Sequence, residues 1–331
     1  MAQLIEINQV GKREDLRDII SLADVRNRPF MAMAPKIAGA RNMLVEWQVD
    51  KYDSPVTTNK VADGVDVTSF ENKAKNRFRL GNYSQKFRKS WMVGDEAENV
   101  SDVAGVSSEA ELALDKCIEE IGRDIEYTLC SNNGAVLETG ESTPYQMRAL
   151  GKWLVDAGNT GSIGADTVLP FSSSGYLIPT ASCDASFSTE AELATLLASI
   201  YTQWGKGGVS LTAIVGPTLK KTISGFTQYS GSTTTANTSI RSFNASLDGK
   251  KITSNITRYE GDFNSVDLVP SLLLPSASYG YFIPWDYVAI SFNRQARSKP
   301  LPDMGGGPRG YVDAILTLVV KNPTVFGVIR G

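Results

Sequence analysis

An α+β fold assembled from several unlike units is what this chain predicts, and three observations predict it. Residues 43–88 alternate apolar and polar on either side of a turn-rich stretch, as a two-stranded ribbon does. Residues 107–130 carry an apolar stripe at helical spacing. From about residue 187, a capped helix, an apolar strand and a short helix form a separate α/β unit. At 331 residues the chain is longer than one core usually serves, so two or three structural units are expected.

Residues 1–42 read as an arm. "GKREDLRDII" has Leu16, Ile19 and Ile20 on one side of a short helix, and Pro29 and Pro35 stop anything longer. Too few apolar residues are present for the arm to fold alone, so it is expected to lie across another surface. In "LVEWQVD", Val45, Trp47 and Val49 alternate with Glu46, Gln48 and Asp50, the pattern of a half-buried strand. A second strand is expected over about 72–88. Pro55 and Asp63-Gly64 mark the turns between the two. Such a ribbon buries little of itself and needs an external surface.

The best helix is 107–130, with Leu114, Ile118, Ile121, Ile125 and Leu129 on one face. Ser107 or Ser108 supplies its cap, and about 24 residues would span roughly 36 Å. Glu109, Glu119, Glu120, Asp124 and Glu126 form the other face. Residues 131–186 turn Gly, Ser and Thr rich around a short helix at "YQMRALGKWLVDAG". "STEAELATLLASIYTQWGKGG" then begins with a capping box and ends at Gly205. "LTAIVGP" reads as a strand and "TLKKTISGF" as a helix. Further strands are expected in "KKITSNITRYEG", "SVDLVPSLLLP", "YGYFIPWDYVAISF" and "YVDAILTLVV". No internal repeat is visible.

Composition narrows the function. Hydrophobic content of 42% with 21% charged residues is that of a folded globular chain. The N-terminus lacks the pattern of a secretory signal, and no apolar run reaches membrane-spanning length, so a cytoplasmic site of synthesis is expected with no membrane partner. Cys117, Cys130 and Cys183 suit neither a disulfide framework nor a zinc site. Histidine is absent, which removes Ser-His-Asp and Cys-His catalysis and imidazole metal sites. An enzyme would have to use carboxylates, Lys or Tyr. "GGGPRG" at 305–310 lacks phosphate-loop spacing, and Val61 and Phe70 stand where a calcium loop at Asp63 and Asp66 needs oxygens. Glu120 and Asp124, one turn apart, are an acid pair or part of a solvated or docking face. No cofactor and no metal are expected.

The charge pattern is polarised although the totals nearly balance, 36 acidic against 33 basic residues. In "KAKNRFR", Lys73, Lys75, Arg77 and Arg79 recur at every second position, which on a strand puts four cations on one face. That row is a solvated face, a nucleic-acid contact with thin aromatic support, or a surface that docks on the acidic patch of a neighbouring copy, such as the helix at 107–130.

Taken in order, "GKREDLRDII", "RPFMAM", "VEWQVD", "RLGNYSQKFRKS", "SEAELALDKCIEEIGRDIE" and "IVGPTLKKTISGF" resemble the major capsid proteins of tailed bacteriophages that share the HK97 fold, in particular the SU10-like subfamily. The resemblance implies an α+β HK97-like capsid fold. Its parts would be an N-terminal arm at 1–42, an extended two-stranded E-loop at 43–88, a P-domain at 89–186 with its spine helix at 107–130, an A-domain at 187–285, and a return to the P-domain at 286–331. It implies a non-enzymatic subunit of hexamers and pentamers forming an icosahedral head around double-stranded DNA, a virion component assembled in the host bacterial cytoplasm. Scaffold, portal and decoration proteins are implied partners, with weak non-specific contact to packaged DNA. Inter-subunit residues would be Arg13, Asp15, Leu16 and Phe30 of the arm and Trp47, Asp50, Lys73, Lys75, Arg77, Arg79, Tyr83 and Arg88 of the ribbon. Glu119, Glu120 and Asp124 would form an acidic spine face near the packaged polyanion.

Residues 131–186 match no string of the family, and no large scaffolding region precedes the arm. Lys60 and Asn322 are candidates for a covalent cross-link by residue type alone, and none is expected. The other readings are an encapsulin-type shell, a carboxylate-dependent hydrolase, and a tail or adaptor component.

Overall fold

The computed structural model describes residues 27–50, 52–73, 77–99, 106, 108–155, 184–185, 189–205, 209–226 and 256–329. The arm contributes helix α1 (Pro29–Met33), begun by a proline in its first turn, and strand β1 (Lys36–Ala38). Strand β2 (Leu44–Val49) pairs antiparallel with β3 (Phe78–Tyr83), and β4 (Gln85–Met92) follows after one residue. Then come α2 (Asp95–Asn99), the long α3 (Glu109–Leu129), α4 (Leu150–Val155) and β5 (Asp184–Ala185). The α/β unit consists of α5 (Glu190–Trp204), β6 (Val209–Val215), α6 (Pro217–Gly225), β7 (Arg258–Glu260), β8 (Asn264–Pro270) and β9 (Gly280–Ile283). A 3-10 turn at Trp285–Tyr287 leads into the long hairpin β10 (Val288–Leu301) and β11 (Arg309–Val320), and β12 (Gly327–Ile329) closes the chain.

Two sheets carry the architecture. In the first, the order is β1-β10-β11-β4, with β1 parallel to β10 and the other neighbours antiparallel. Val312, Ala314, Leu316 and Leu318, on one face of β11, share a core with Ile121, Ile125 and Leu129 of α3. The second sheet has the order β5-β12-β9-β6-β8-β7. Its side chains divide by the period of two that strands impose. Ala213, Val215 and Phe282 pack with Leu193, Leu196, Ile200 and Leu219 of α5 and α6, while Ile214, Tyr281 and Ile283 belong to the α3 core.

The capping box predicted for α5 is present, between Thr189 and Glu192, and Gly205 ends the helix at φ 69°. The N-cap of α3 is Ser108, which accepts from the Glu111 amide. Ile118 departs from the expected buried stripe and is 42% exposed.

The ribbon is shorter than 43–88. It ends at Tyr83, where the Ser84 amide donates to the Met43 carbonyl at 2.7 Å, and β4 leaves it to pair with β11. With only six residues in β2, the rest of the second strand needs another partner, and the apolar β11 provides one. At the other end, 286–331 does not stay with the first sheet, since β12 joins β9 and β5 in the second.

Candidate assembly surfaces

The ribbon is fastened at its base by buried polar groups. Asn82 is fully buried, and its amide nitrogen donates to the carbonyls of Arg148 at 2.9 Å and Leu318 at 2.8 Å. Its amide oxygen accepts from the Arg148 backbone at 2.8 Å. Thr317 donates to the Tyr83 carbonyl at 2.8 Å, and Ser84 reaches Asn293, which itself holds the Asn42 carbonyl. Trp47 packs against Trp153 with ring centroids 6.0 Å apart. Tyr83 sits beside Tyr145, and burial pushes its hydroxyl pKa up. Trp47 and Tyr83 are therefore roots of the ribbon within its own subunit. Arg88 is likewise outside the ribbon, in β4, with its guanidinium 4.7 Å above the Tyr311 ring.

Beyond its base the ribbon is open. Tyr52, Val56, Val61, Val65, Val67 and Phe70 are all more than half exposed, and Tyr52 reaches 96%. The predicted basic row meets acids of the same ribbon: Arg79 pairs with Glu46 at 3.3 Å, Arg77 with Asp50 at 3.1 Å, and Lys73 with Asp53 and Glu71. The Glu71 hydrogen bond raises the Lys73 pKa. These cations are partnered within their own chain, and such exposed pairs add little to stability because water and salt screen them. Lys73 lies in a turn outside the strands, and Lys75 lies outside the described residues, as do Arg13, Asp15 and Leu16.

Phe30, expected at a subunit boundary, is instead fully buried in its own chain, edge-on to Trp285 at 5.6 Å. Glu126 explains the docking. Placed by the sequence on the acidic face, this carboxylate is buried, and its two oxygens accept from the amides of Phe30 and Met31, each at 2.8 Å. It thereby satisfies the first amides of α1. Burial raises its pKa, against the lowering by those two amides and by Arg28. Arg28 lies over Gly122, where a Cβ would meet its guanidinium, and pairs with Glu119 at 3.3 Å. Glu120 and Asp124 face Lys89 of β4 at 3.7 and 3.0 Å. The three acids predicted as a face near the packaged polyanion are thus each matched by a cation of the same subunit.

At the start of α3, Glu98 of α2 accepts from the Ser108 hydroxyl at 2.6 Å and from the Ala110 amide at 3.0 Å. The hydroxyl, followed by that amide, lowers the Glu98 pKa. A depressed carboxylate stabilises the fold above its unfolded value, about 4.3, and that contribution disappears as pH falls through the folded value. Acid unfolding followed by circular dichroism should therefore lose part of its pH dependence in Glu98→Gln. An unchanged acid limb would reject this role.

A cluster that sequence reasoning missed lies on the face of the first sheet turned away from α3. Asp313 of β11, 1% exposed, is bonded by Arg294 and by Arg297 at 3.3 Å, with Lys86 at 4.0 Å. Register shifts in β10 between Phe292 and Arg294 and between Arg294 and Arg297 bring both arginines to one carboxylate. The cluster depends on β11 pairing with both β4 and β10, and Lys86 and Asp313 are more than 200 residues apart in the chain. Among the described residues, no group of three or more His, Cys, Asp or Glu could hold a metal ion, and no helix is long and apolar enough to cross a membrane.

Comparison with known proteins gives these surfaces their context. The chain superposes on a subunit of the cyanophage A-1(L) capsid with TM-score 0.63 at 15% identity, covering 99% of each chain. A subunit of the cyanophage Pam1 capsid gives 0.56 at 11% identity, over 99% of this chain and 98% of the other. Mycobacterium phage Che8 gives 0.56 at 12%, over 97% of each. At such identities the likeness establishes the fold, an HK97-like α+β architecture. No curated protein matches. The family model for the SU10 major capsid protein, however, matches residues 4–331. A chain with this fold, an open ribbon rooted in a four-stranded sheet, and that match over almost its whole length belongs to the SU10 major capsid protein family and is a major capsid protein of a tailed phage.

Proposed function

We propose that copies of this chain build an icosahedral head from hexamers and pentamers around double-stranded DNA, in the host bacterial cytoplasm, without catalysing a reaction. The first sheet with α3 serves as the P-domain, the second sheet with α5 and α6 as the A-domain, and the ribbon as the E-loop. Scaffold, portal and decoration proteins are its expected partners. The observation that carries this reading is the ribbon tip, where six large apolar side chains stand exposed in a single copy. Exposure on that scale in one short segment marks a surface completed by association. A neighbouring subunit is the surface that the ribbon lacks. Each interface recurs many times in a closed assembly, so modest contacts suffice for a stable container.

The direct test is expression of the unmodified chain, alone and with its phage's own assembly proteins, followed by negative-stain electron microscopy. Closed shells are expected in at least one of the two. Monomers, open rings or tubes in both would overturn the reading.

A further inference from the structure

Where the arm is described, it already lies along α3. The Glu126 carboxylate accepts from the Phe30 and Met31 amides, while Arg28, slightly earlier in the arm, lies over Gly122 and pairs with Glu119. Going back along the arm therefore means going back along α3, and the two segments run in the same direction. Residues four apart share a row on a helix, and Glu126, Gly122 and Ile118 are successive members of one row. The described arm sits on the first two. Ile118, the third, is 42% exposed although its spacing is that of the apolar stripe.

A second row runs beside it, made of Glu119, Asp115 and Glu111. Arg28 neutralises Glu119. Asp115 and Glu111 are exposed, and no ion pair joins either to another of the described residues. The surface ahead of the seated arm thus offers an apolar side chain flanked by two carboxylates.

The chain before Asn27, outside the described residues, has the complementary pattern. Leu16, Ile19, Ile20 and Ala23 recur at helical spacing, with Arg13 and Arg17 four apart beside them. A helix of that length is marginal in water by itself and needs a surface to pack on. Arg17 precedes Arg28 by as many residues as Glu111 precedes Gly122. At the helical rise of about 1.5 Å per residue the two come level, and Ile20 and Ala23 fall within about one turn of Ile118.

We infer that residues 15–25 form a helix laid on α3 of their own chain, covering Ile118 and bringing Arg17 to Glu111 and Asp115. The seat at Glu126 and Gly122 fixes the direction of this segment, and its length matches the open surface without crossing to a second copy. Burial of Ile118 supplies adhesion and the opposite charges set the register. Arg13, Asp15 and Leu16, which the resemblance places between subunits, are thereby assigned within one. The inference concerns a single copy and is independent of the shell reading.

Hydrogen exchange on the full chain tests the seat. Amides of residues 16–23 are expected to exchange about tenfold faster in Ile118→Asp than in the unmodified chain, with circular dichroism showing a folded subunit. Glu111→Lys/Asp115→Lys is expected to give a similar loss, and adding Arg13→Glu/Arg17→Glu to restore protection. Cross-linking decides which copy is used. Cys117 and Cys130 are buried, so a Cys183→Ser background leaves added thiols to react. There, Arg17→Cys/Glu111→Cys on one chain is expected to give an intrachain link with a short bismaleimide. The two single variants, co-expressed, are expected to give no linked dimer. Linked dimers from that mixture would overturn the inference and assign the arm to a neighbouring copy. So would unprotected amides at 16–23 in the unmodified chain, or protection unchanged in both α3 variants. These readouts apply to free subunits and shells alike, so a failure to form shells counts against the shell reading and leaves this test standing.

Discussion

Asn82→Ala is expected to destabilise the subunit by about 3–4 kcal/mol, the largest effect of any ribbon residue. The substitution leaves two carbonyls and one amide without partners in a dry environment, and each such group costs about 1–3 kcal/mol. The loss is structural in a particular way, since Asn82 ties β3 to both the 148 backbone and β11. Urea unfolding should show the midpoint shift. Hydrogen exchange should show β2 and β3 opening before the first sheet does. A loss under about 1 kcal/mol would mean that the ribbon is held by Trp47 and the Thr317 bond to Tyr83 instead.

Glu126→Ala is expected to cost about 2–4 kcal/mol by freeing the amides of Phe30 and Met31, and so to detach the arm from α3. Accelerated exchange at Phe30 and easier proteolysis near Arg28 would report the detachment. Glu126→Gln, which keeps the shape and one acceptor, should cost about 1 kcal/mol. The pH behaviour separates charge from shape. The folded pKa of Glu126 is raised, chiefly by burial, so the folded state binds the proton more tightly than the unfolded chain. Its favourable contribution is complete below the ordinary glutamate value of about 4.3 and is lost as pH rises through the folded value. Acid therefore does not open the arm through this group. Stability of the unmodified chain relative to Glu126→Gln should fall as pH rises across that window, and an opposite slope would contradict the assignment.

Short-range pattern made much of this fold legible. The α3 stripe, the Thr189–Glu192 capping box, the Gly205 stop and the alternation of β2 and β11 all depend on neighbours within about one turn or one strand. Pairing at longer range was not legible. The inward positions switch from even, at Leu80 and Asn82, to odd, at Phe87 and Trp91, but that change of parity at Ser84 does not say which strand β4 goes on to pair with. Phe30 looked like an arm contact because "RPFMAM" contains no sign of the carboxylate 96 residues away that seats it. For the same reason Glu126 was placed with the solvated acids. Its position on the helix is near the edge of the apolar arc, and only the docked arm makes that edge interior.

The sequence by itself determined the class of fold, the chain's modular order and its resemblance to capsid subunits, because these follow from local periodicity and from strings read in order. Tertiary structure decided where the charges act. Lys73, Arg77 and Arg79 are matched within their own ribbon, and Glu119, Glu120 and Asp124 of α3 face Arg28 and Lys89. Meanwhile Arg294 and Arg297 of β10 and Lys86 of β4 meet at Asp313 of β11. Electrostatic interaction depends on distance in space, falling away within about 10 Å in salt, and strand register brings together residues that are hundreds of positions apart.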